Sequence, residues 1–187
     1  MLWEADAVNL RRAGPTQPTA EAAALAIPVL SADEIREHFE TAVAPHYAGL
    51  VRRLVLVLGN EPDAQDVAQD AYLNAYRSWD RFDGTDVRAW LYTIALRLAF
   101  NQLRRRRRLL AAIGRIEPRT WAAPTDPDLW VALQALDIRT RAALLLNSVD
   151  GFTQAEIARM LAVPEGTVAS WLSRGRAALR HELDPGR

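Results

Sequence analysis

The sequence predicts an all-α protein of two small helical domains joined by a flexible linker, with a helix-turn-helix in the second domain. Apolar residues recur at helical spacing within residues 32–108 and 128–183, and no segment alternates convincingly with a period of two. Residues 109–127 contain one glycine and three prolines with little periodicity, which is typical of a linker. At 187 residues, the chain has room for two such domains. The predicted segments are a flexible N-terminal extension 1–31, a helical domain 32–108, a linker 109–127 and a second domain 128–187.

The first domain is predicted to begin at a capping box formed by Ser31 and Glu34. Pro45 is expected to interrupt or restart the first helix, because proline suits a first turn and not a helix interior. The stretch 59–62, Gly-Asn-Glu-Pro, predicts a stop and a new start. Residues 1–31 are rich in alanine, proline and threonine, which favours a flexible tail, with a helix-forming regulatory arm as the alternative.

Two further helices follow in this domain. After Pro62, small and apolar residues keep helical spacing over three turns and predict an amphipathic helix. A loop at residues 80–84 ends it, and a third helix is predicted to begin near Thr85 or Asp86. That helix carries apolar residues on more than one side, so it is expected to pack on more than one side.

Charge is strongly segregated within the first domain, although the formal net charge of the chain is zero. Residues 60–86 hold seven acidic residues against two arginines, whereas residues 87–108 hold seven arginines and no acidic residue. A basic run is often only a solvated face. Here it continues a helix that also carries aromatic and amide side chains, a combination that suits unpaired bases. The acidic helix suits a basic protein partner instead.

The second domain carries a helix-turn-helix pattern at residues 153–174. Thr153 and Glu156 form a capping box, Ala158 is small where the two helices would cross, and Pro164 presets the first turn of the second helix. Arginines late in that second helix suit phosphate anchoring. An ordinary helical hairpin is the alternative. The pattern by itself does not distinguish between the classes of DNA-binding protein that carry it, such as repressors and response-regulator output domains.

Composition argues against several other classes of protein. The chain has no cysteine, and its three histidines show no metal-ligand spacing, so no metal, cofactor or catalytic residue is predicted. No stretch approaches the roughly 20 apolar residues that span a bilayer, and the N-terminus reads poorly as a signal peptide. We therefore expect a cytoplasmic protein without membrane insertion, and not an enzyme.

Two motifs in the first domain resemble the extracytoplasmic-function (ECF) sigma factors of the sigma-70 superfamily. Residues 63–76, DAQDVAQDAYLNAY, are similar to the D-A-E-D-L-x-Q-E-x-F-L-x-A-W pattern of sigma region 2. Residues 82–95 are similar to the F-x-G-x-x-x-x-x-W-L-x-x-I-A pattern of the loop and helix that follow in that family. The helix-turn-helix resembles region 4. The resemblance covers roughly residues 35–183.

The resemblance implies a subunit that binds core RNA polymerase, through its beta and beta-prime subunits, and promoter DNA. It also makes an anti-sigma factor or accessory regulator a possible further partner. The implied core polymerase contacts are Asp66, Gln69, Asp70, Leu73 and Tyr76. The implied contacts to the −10 element are Arg81, Asp83, Arg88, Trp90, Tyr92, Arg97, Asn101, Arg104 and Arg105. The implied contacts to the −35 element are Thr153, Glu165, Thr167, Ala169, Ser170, Ser173, Arg174 and Arg176.

Several positions depart from the family pattern. Ala162 stands where a glycine usually forms the turn, and a left-handed conformation there would cost a non-glycine residue roughly 1 kcal/mol. Ala169 and Trp171 stand near positions that usually carry lysine or arginine, which predicts weak autonomous binding to the −35 element. We expect Trp171 to pack against its own domain. The alternatives to a sigma factor are a helix-turn-helix regulator acting without polymerase and a sigma mimic that titrates a regulator.

Overall fold

The computed structural model describes residues 31–113 and 126–183. Over these ranges the chain forms seven α-helices and one 3-10 turn, without a strand. The first half contains α1 (Ala32–Leu58), α2 (Glu61–Arg77), the 3-10 turn Trp79–Arg81 and α3 (Val87–Ile113). The second half contains α4 (Pro127–Ala135), α5 (Ile138–Ser148), α6 (Gln154–Leu161) and α7 (Glu165–Glu182). The predicted all-α class is confirmed.

Helix α1 begins at the predicted capping box, in which the Ser31 backbone N–H donates to Glu34 at 2.7 Å. Contrary to the sequence-based expectation, Pro45 does not interrupt this helix, which runs from Ala32 to Leu58 with the proline inside it. Pro45 is exposed, so its ring faces solvent while Val43 and Leu50 on the other side are buried. The apolar stripe of α1 therefore outweighs the hydrogen bond that proline removes.

The stop and restart between α1 and α2 are confirmed. Gly59 adopts a φ of +79°, a left-handed conformation that favours glycine after a helix end. Asn60 then caps α2, because its side-chain oxygen accepts the Asp63 backbone N–H at 2.8 Å. Pro62 lies in the first turn of α2, where a missing N–H costs nothing.

Small residues let α2 pack closely against α3. Ala64, Ala68, Ala71 and Ala75 form a fully buried stripe on α2. Leu91, Ala95, Leu96 and Ala99 of α3 are equally buried. Helix α3 starts at Val87, after Asp86 accepts the Ala89 backbone N–H at 2.9 Å, close to the predicted start.

The last helix of the first half extends into the predicted linker. Helix α3 continues to Ile113, so residues 109–113 are helical, and α4 begins at Pro127. Residues 114–125 lie outside the described part of the chain, as does the predicted N-terminal extension apart from Ser31. The arginine run gives no stop signal, because arginine has high helix propensity and the next glycine is Gly114.

From Arg36 onward the described residues belong to one compact unit. Buried residues of both halves join a single apolar core, among them Leu54 and Tyr92 from the first half and Leu145 and Phe152 from the second. The two predicted domains are recognisable as helical halves, but they pack against each other.

Candidate protein and nucleic-acid interfaces

All five predicted polymerase contacts lie on the outer face of α2. Their spacing places them along one stripe, opposite the buried alanines that face α3. Leu73 is 42% exposed and Tyr76 is 40% exposed, so two large apolar side chains lie close together on this open face. The Tyr76 ring is held edge-on against Phe39 at 5.2 Å. The exposed members of this face, called the α2 face below, are Asp66, Gln69, Asp70, Leu73 and Tyr76.

The α2 face combines carboxylates at one end with an apolar patch at the other. Asp66 and Asp70 lie one turn apart, and Leu73 and Tyr76 follow them along the helix. An apolar patch beside charged side chains is typical of a protein-binding surface. The two negative charges favour a partner with basic residues next to its own apolar patch.

Two local features shape the loop between α2 and α3. Asp83 accepts the Thr85 hydroxyl at 2.8 Å and the Thr85 backbone N–H at 3.1 Å, and these hydrogen bonds hold the pKa of the Asp83 carboxyl below its ordinary value. Gly84 adopts a φ of +78°, which lets the chain turn. Arg81 and Asp83, both named above as implied −10 contacts, are exposed beside this turn.

An aromatic cluster lies beneath this loop. Trp79 stacks on Phe82 with ring centroids 5.1 Å apart, and Trp90 lies 5.0 Å from Phe82 and 5.9 Å from Trp79. Trp90 was predicted as a DNA contact, whereas Trp79 was not. Trp79 lies in the 3-10 turn and Phe82 follows it, outside the amphipathic helices, so helical periodicity gave no signal for the cluster. It fixes the loop and leaves Trp90 partly exposed beside Arg81 and Asp83 in one cavity.

Two predicted −10 residues, Arg88 and Tyr92, lie instead at the junction between the halves. Tyr92 is only 3% exposed, and its hydroxyl lies 3.5 Å from the Asp150 carboxylate. Burial first, and then the Asp150 charge, raise the pKa of Tyr92 above its ordinary value. Arg88 donates to the Asp150 carbonyl oxygen at 2.6 Å and lies 4.5 Å above the Phe152 ring. In this conformation Tyr92 is too deeply buried to contact DNA, and the Arg88 guanidinium already contacts Asp150 and Phe152.

The remaining predicted −10 residues form an exposed row along the later turns of α3. Arg97, Asn101, Arg104 and Arg105 are all exposed and share one side of the helix. Arg104 donates to the Asn101 side-chain oxygen at 3.1 Å. Arg106 is not part of this row. It forms a salt bridge with Asp63 of α2 at 3.0 Å, so it holds α3 against α2. The row offers three guanidinium groups to a nucleic-acid backbone.

The helix-turn-helix has the predicted construction. Thr153 caps α6 in a reciprocal capping box with Glu156, and Ile157 packs against Val168 and Leu172 in a fully buried cluster. Ala162 in the turn has a φ of 53° and a ψ of 51°, so the expected left-handed alanine is present. Trp171 is 8% exposed, which confirms that it packs within the core of the protein.

The outer face of α7 carries most of the predicted −35 residues. Thr167 is half-buried, and the Thr153 hydroxyl already donates to Glu156 at 2.8 Å. Arg176 donates to the Asn147 side-chain oxygen at 2.7 Å, which fixes one cation beside α5. The exposed residues of this face are Glu165, Ala169, Ser170, Ser173, Arg174 and Arg176. With Trp171 turned inward, the face has few cations and many small polar side chains.

Within residues 31–113 and 126–183, no group of three histidine, aspartate or glutamate side chains is placed to hold a metal ion. None of the helices described is both long enough and apolar enough to cross a membrane.

Comparison with known proteins identifies the family of the chain. The family described as Sigma-70 region 2 matches residues 41–109, and Sigma-70, region 4 matches residues 128–179. The ECF RNA polymerase sigma factor SigM of Mycobacterium tuberculosis is 33% identical over 154 residues, covering 79% of this chain and 78% of SigM. SigE of Mycolicibacterium smegmatis is 30% identical over 157 residues, covering 78% of this chain and 61% of SigE.

Solved structures are similar as well. The sigma factor RpoE of Bartonella quintana, in a co-crystal structure with the anti-sigma factor NepR, matches with a TM-score of 0.71 and 25% identity. The match covers 81% of this chain and 99% of RpoE. CnrH, solved in complex with the cytosolic domain of CnrY, matches with a TM-score of 0.60 and 29% identity, covering 81% of this chain and 91% of CnrH. The chain belongs to the ECF RNA polymerase sigma factors of the sigma-70 family, and it is a transcription-initiation factor, not an enzyme.

Proposed function

We propose that this sigma factor docks on core RNA polymerase through the α2 face and thereby brings the enzyme to promoters. The observation that carries the proposal is the exposure of Leu73 and Tyr76 next to the carboxylates of Asp66 and Asp70, in the part of the chain that matches region 2. A large apolar side chain left in water loses on the order of 1.5–3 kcal/mol that burial in an interface would recover. The α2 face is therefore suited to being covered by a partner protein.

Promoter recognition is assigned to two surfaces. The loop residues Arg81 and Asp83, with Trp90, form a cavity of mixed polar and aromatic character that suits a flipped base of the −10 element. The row Arg97, Asn101, Arg104 and Arg105 suits the adjoining backbone. Helix α7 is proposed to enter the major groove of the −35 element, with Arg174 and Arg176 near phosphates.

The proposed −35 face of α7 carries two arginines, which supports a modest contribution of this face to affinity. Each phosphate contact adds about 0.9 to the slope of log affinity against log salt, so a face with two arginines has a shallow slope. Docking on core polymerase would then supply much of the free energy of promoter binding. The small side chains of α7 would contribute sequence specificity. Such a factor acts in the cytoplasm, where core polymerase and the chromosome are.

The test is a binding and transcription experiment with purified core RNA polymerase. Asp70→Arg reverses one charge on the α2 face, and we expect affinity for core polymerase to fall about 10–100-fold, the range for a contact residue worth 1.4–2.8 kcal/mol. Leu73→Ala should weaken binding without changing charge. Glu37→Arg is the matched control, because it makes the same reversal at an exposed site on α1.

Run-off transcription on a genomic promoter library completes the test. Wild-type protein should direct core polymerase to a defined set of start sites, and Asp70→Arg should lose most of that activity. A protein that bound specific DNA duplexes but never associated with core polymerase would instead be a helix-turn-helix regulator. Binding to a regulator without promoter opening would indicate a sigma mimic.

A further inference from the structure

A shallow depression lies on the outer face of α7 and is lined by Ala169, Ser170, Ser173 and Arg174. These four residues, called the α7 notch below, occupy consecutive turns of the helix, and all of them are exposed. Three of the four have small side chains, so the surface recedes there. Ala169 and Ser170 lie in the second turn of α7, within the part of a recognition helix that contacts base edges.

The polar groups of the α7 notch are engaged with the helix itself. The Ser170 hydroxyl donates to the Gly166 carbonyl oxygen at 2.9 Å, which leaves the hydroxyl oxygen only as an acceptor. Arg174 Nε donates to the Ser170 carbonyl oxygen at 3.4 Å, so the guanidinium turns back along α7. The side chain of Ala169 has no polar group. A base placed over Ala169 therefore meets a methyl group and no hydrogen-bond donor from that side chain.

The charge around Ala169 is unfavourable for a DNA phosphate. Glu165, one turn before Ala169, is exposed, and the first cation in the sequence of α7 is Arg174. The side chain of Trp171 is only 8% exposed and packs in the core, so it does not fill the notch. Phosphate oxygens are bound by cations and by hydrogen-bond donors, and a carboxylate repels them. Ala169 is therefore better suited to contact a base edge than the DNA backbone.

One group in the major groove matches an apolar contact of this size. Base edges present hydrogen-bond donors and acceptors there, together with the C5-methyl group of thymine. Cytosine carries only a hydrogen at C5, so it would leave the notch unfilled and lose the van der Waals contacts that a methyl group makes. The shape and chemistry of the notch thus favour thymine.

We propose that Ala169 selects a thymine in the −35 element by packing its side-chain methyl group against the C5-methyl group of that base. Ser170 and Ser173 leave the space that the base methyl occupies. The inference rests on the proposed entry of α7 into the major groove. Because a contact between two methyl groups involves no charge, salt does not screen it, whereas it weakens the phosphate contacts of the arginines.

The test removes single methyl groups from the DNA. The probe is a promoter obtained by run-off transcription with the holoenzyme, in which each thymine of the −35 element, on either strand, is replaced in turn by deoxyuridine. Deoxyuridine lacks the C5-methyl group and keeps the donors and acceptors of thymine. We expect one replacement to weaken holoenzyme binding about 4-fold, the equivalent of losing one buried methyl group. The ratio of the two affinities should be the same at low and at high salt.

Ala169→Gly removes the proposed contact from the protein side. In this variant the sensitive thymine and its deoxyuridine replacement should bind equally well, because no protein methyl group faces the base. Ala177→Gly is the matched control, since it removes a methyl group from another exposed position of α7, two turns later and outside the notch, at the same cost in helix propensity. It should retain the wild-type ratio. Comparing the ratio within each variant cancels any general loss of stability or of polymerase affinity.

Two results would overturn the proposal. An equal effect of deoxyuridine on the wild-type and Ala169→Gly holoenzymes would assign the methyl contact to another residue. A −35 element in which no thymine responds would show that no methyl group is read. Failure of the wild-type protein to bind core polymerase would count against the proposed function instead. The same replacements, made in duplexes that the free factor selects from a random pool, would then decide whether Ala169 contacts a methyl group.

Discussion

Ala162 adopts a backbone conformation that usually belongs to glycine. Its φ of 53° and ψ of 51° place it in the left-handed region, where a Cβ approaches the following carbonyl oxygen. The turn is held from both sides, because the Ala162 backbone N–H bonds to the Arg159 carbonyl and the Val163 N–H bonds to the Ala158 carbonyl. The helix-turn-helix therefore keeps its geometry with a strained residue in the turn.

Replacing Ala162 with glycine should stabilise the protein. The substitution relieves about 1 kcal/mol of strain, partly offset by the greater freedom of glycine in the unfolded chain. We expect a higher urea midpoint with an unchanged slope. Ala177→Gly is the control, because this exposed alanine lies in the interior of α7 and its replacement should cost about 1 kcal/mol of stability. Destabilisation by both changes would contradict the strain at Ala162.

Asp137 stabilises the start of α5 in a way that depends on pH. Burial alone would raise the pKa of its carboxyl, but hydrogen bonds from Thr140 and Arg139 outweigh burial and hold the pKa below the ordinary value. Since the pKa is lower in the folded state, the contribution is present above the unfolded pKa and is lost as pH falls through the folded pKa.

Asp137→Ala should therefore lower the free energy of unfolding by about 1 kcal/mol at about pH 7 and by less at about pH 3. Urea unfolding at the two pH values measures the difference. Asp137→Asn is the matched variant, because asparagine caps helices as well as aspartate but does not titrate. It should lose little stability at neutral pH. An equal loss for Asp137→Ala at both pH values would mean that the carboxylate form is not the stabilising one.

At the level of helices, the sequence predicted boundaries well wherever a capping signal marks them. Asn60 with Pro62 and Thr153 with Glu156 mark starts that the structure places at Glu61 and Gln154. Errors arise where local propensity and packing disagree. Pro45 predicts a break in the helix, yet buried residues before and after it in the sequence keep α1 continuous. Helix α3 runs five residues past the predicted domain boundary at residue 108, because residues 109–113 continue the helix without a stop signal.

The arginine row of α3 predicts a measurable salt dependence. Arg104 and Arg105 are exposed, so replacing both with glutamine should reduce the slope of log affinity for single-stranded DNA against log salt by about 1.4, or about 0.7 for each phosphate that is no longer neutralised. Fluorescence anisotropy across a salt series gives the slope. The control pairs Arg52→Gln with Arg77→Gln, which removes the same charge from exposed sites outside the row. Equal reductions in the two double variants would indicate unspecific attraction.

On the scale of the whole molecule, the junction between the halves could not be predicted from the sequence. Asp150 and Arg53, which form a salt bridge across the junction, are 97 residues apart in the sequence, and an aspartate followed by a glycine predicts only a turn. Tyr92 illustrates the same limit. An aromatic residue on a basic helix suggested base stacking, but it lies in the core that both halves share. Long-range pairing leaves no periodic signal, so only the surfaces within each half were accessible to sequence reasoning.

A shared core predicts that both halves unfold together. Wild-type protein should show one calorimetric transition with equal calorimetric and van't Hoff enthalpies, because neither half can lose the junction without exposing apolar surface. Combining Asp150→Ala with Gln134→Ala removes two side chains that form hydrogen bonds across the junction and should produce two transitions, one for each half. Glu182→Ala should retain a single transition. Two transitions in the wild-type protein would show that the halves fold independently and that the junction contributes little to stability.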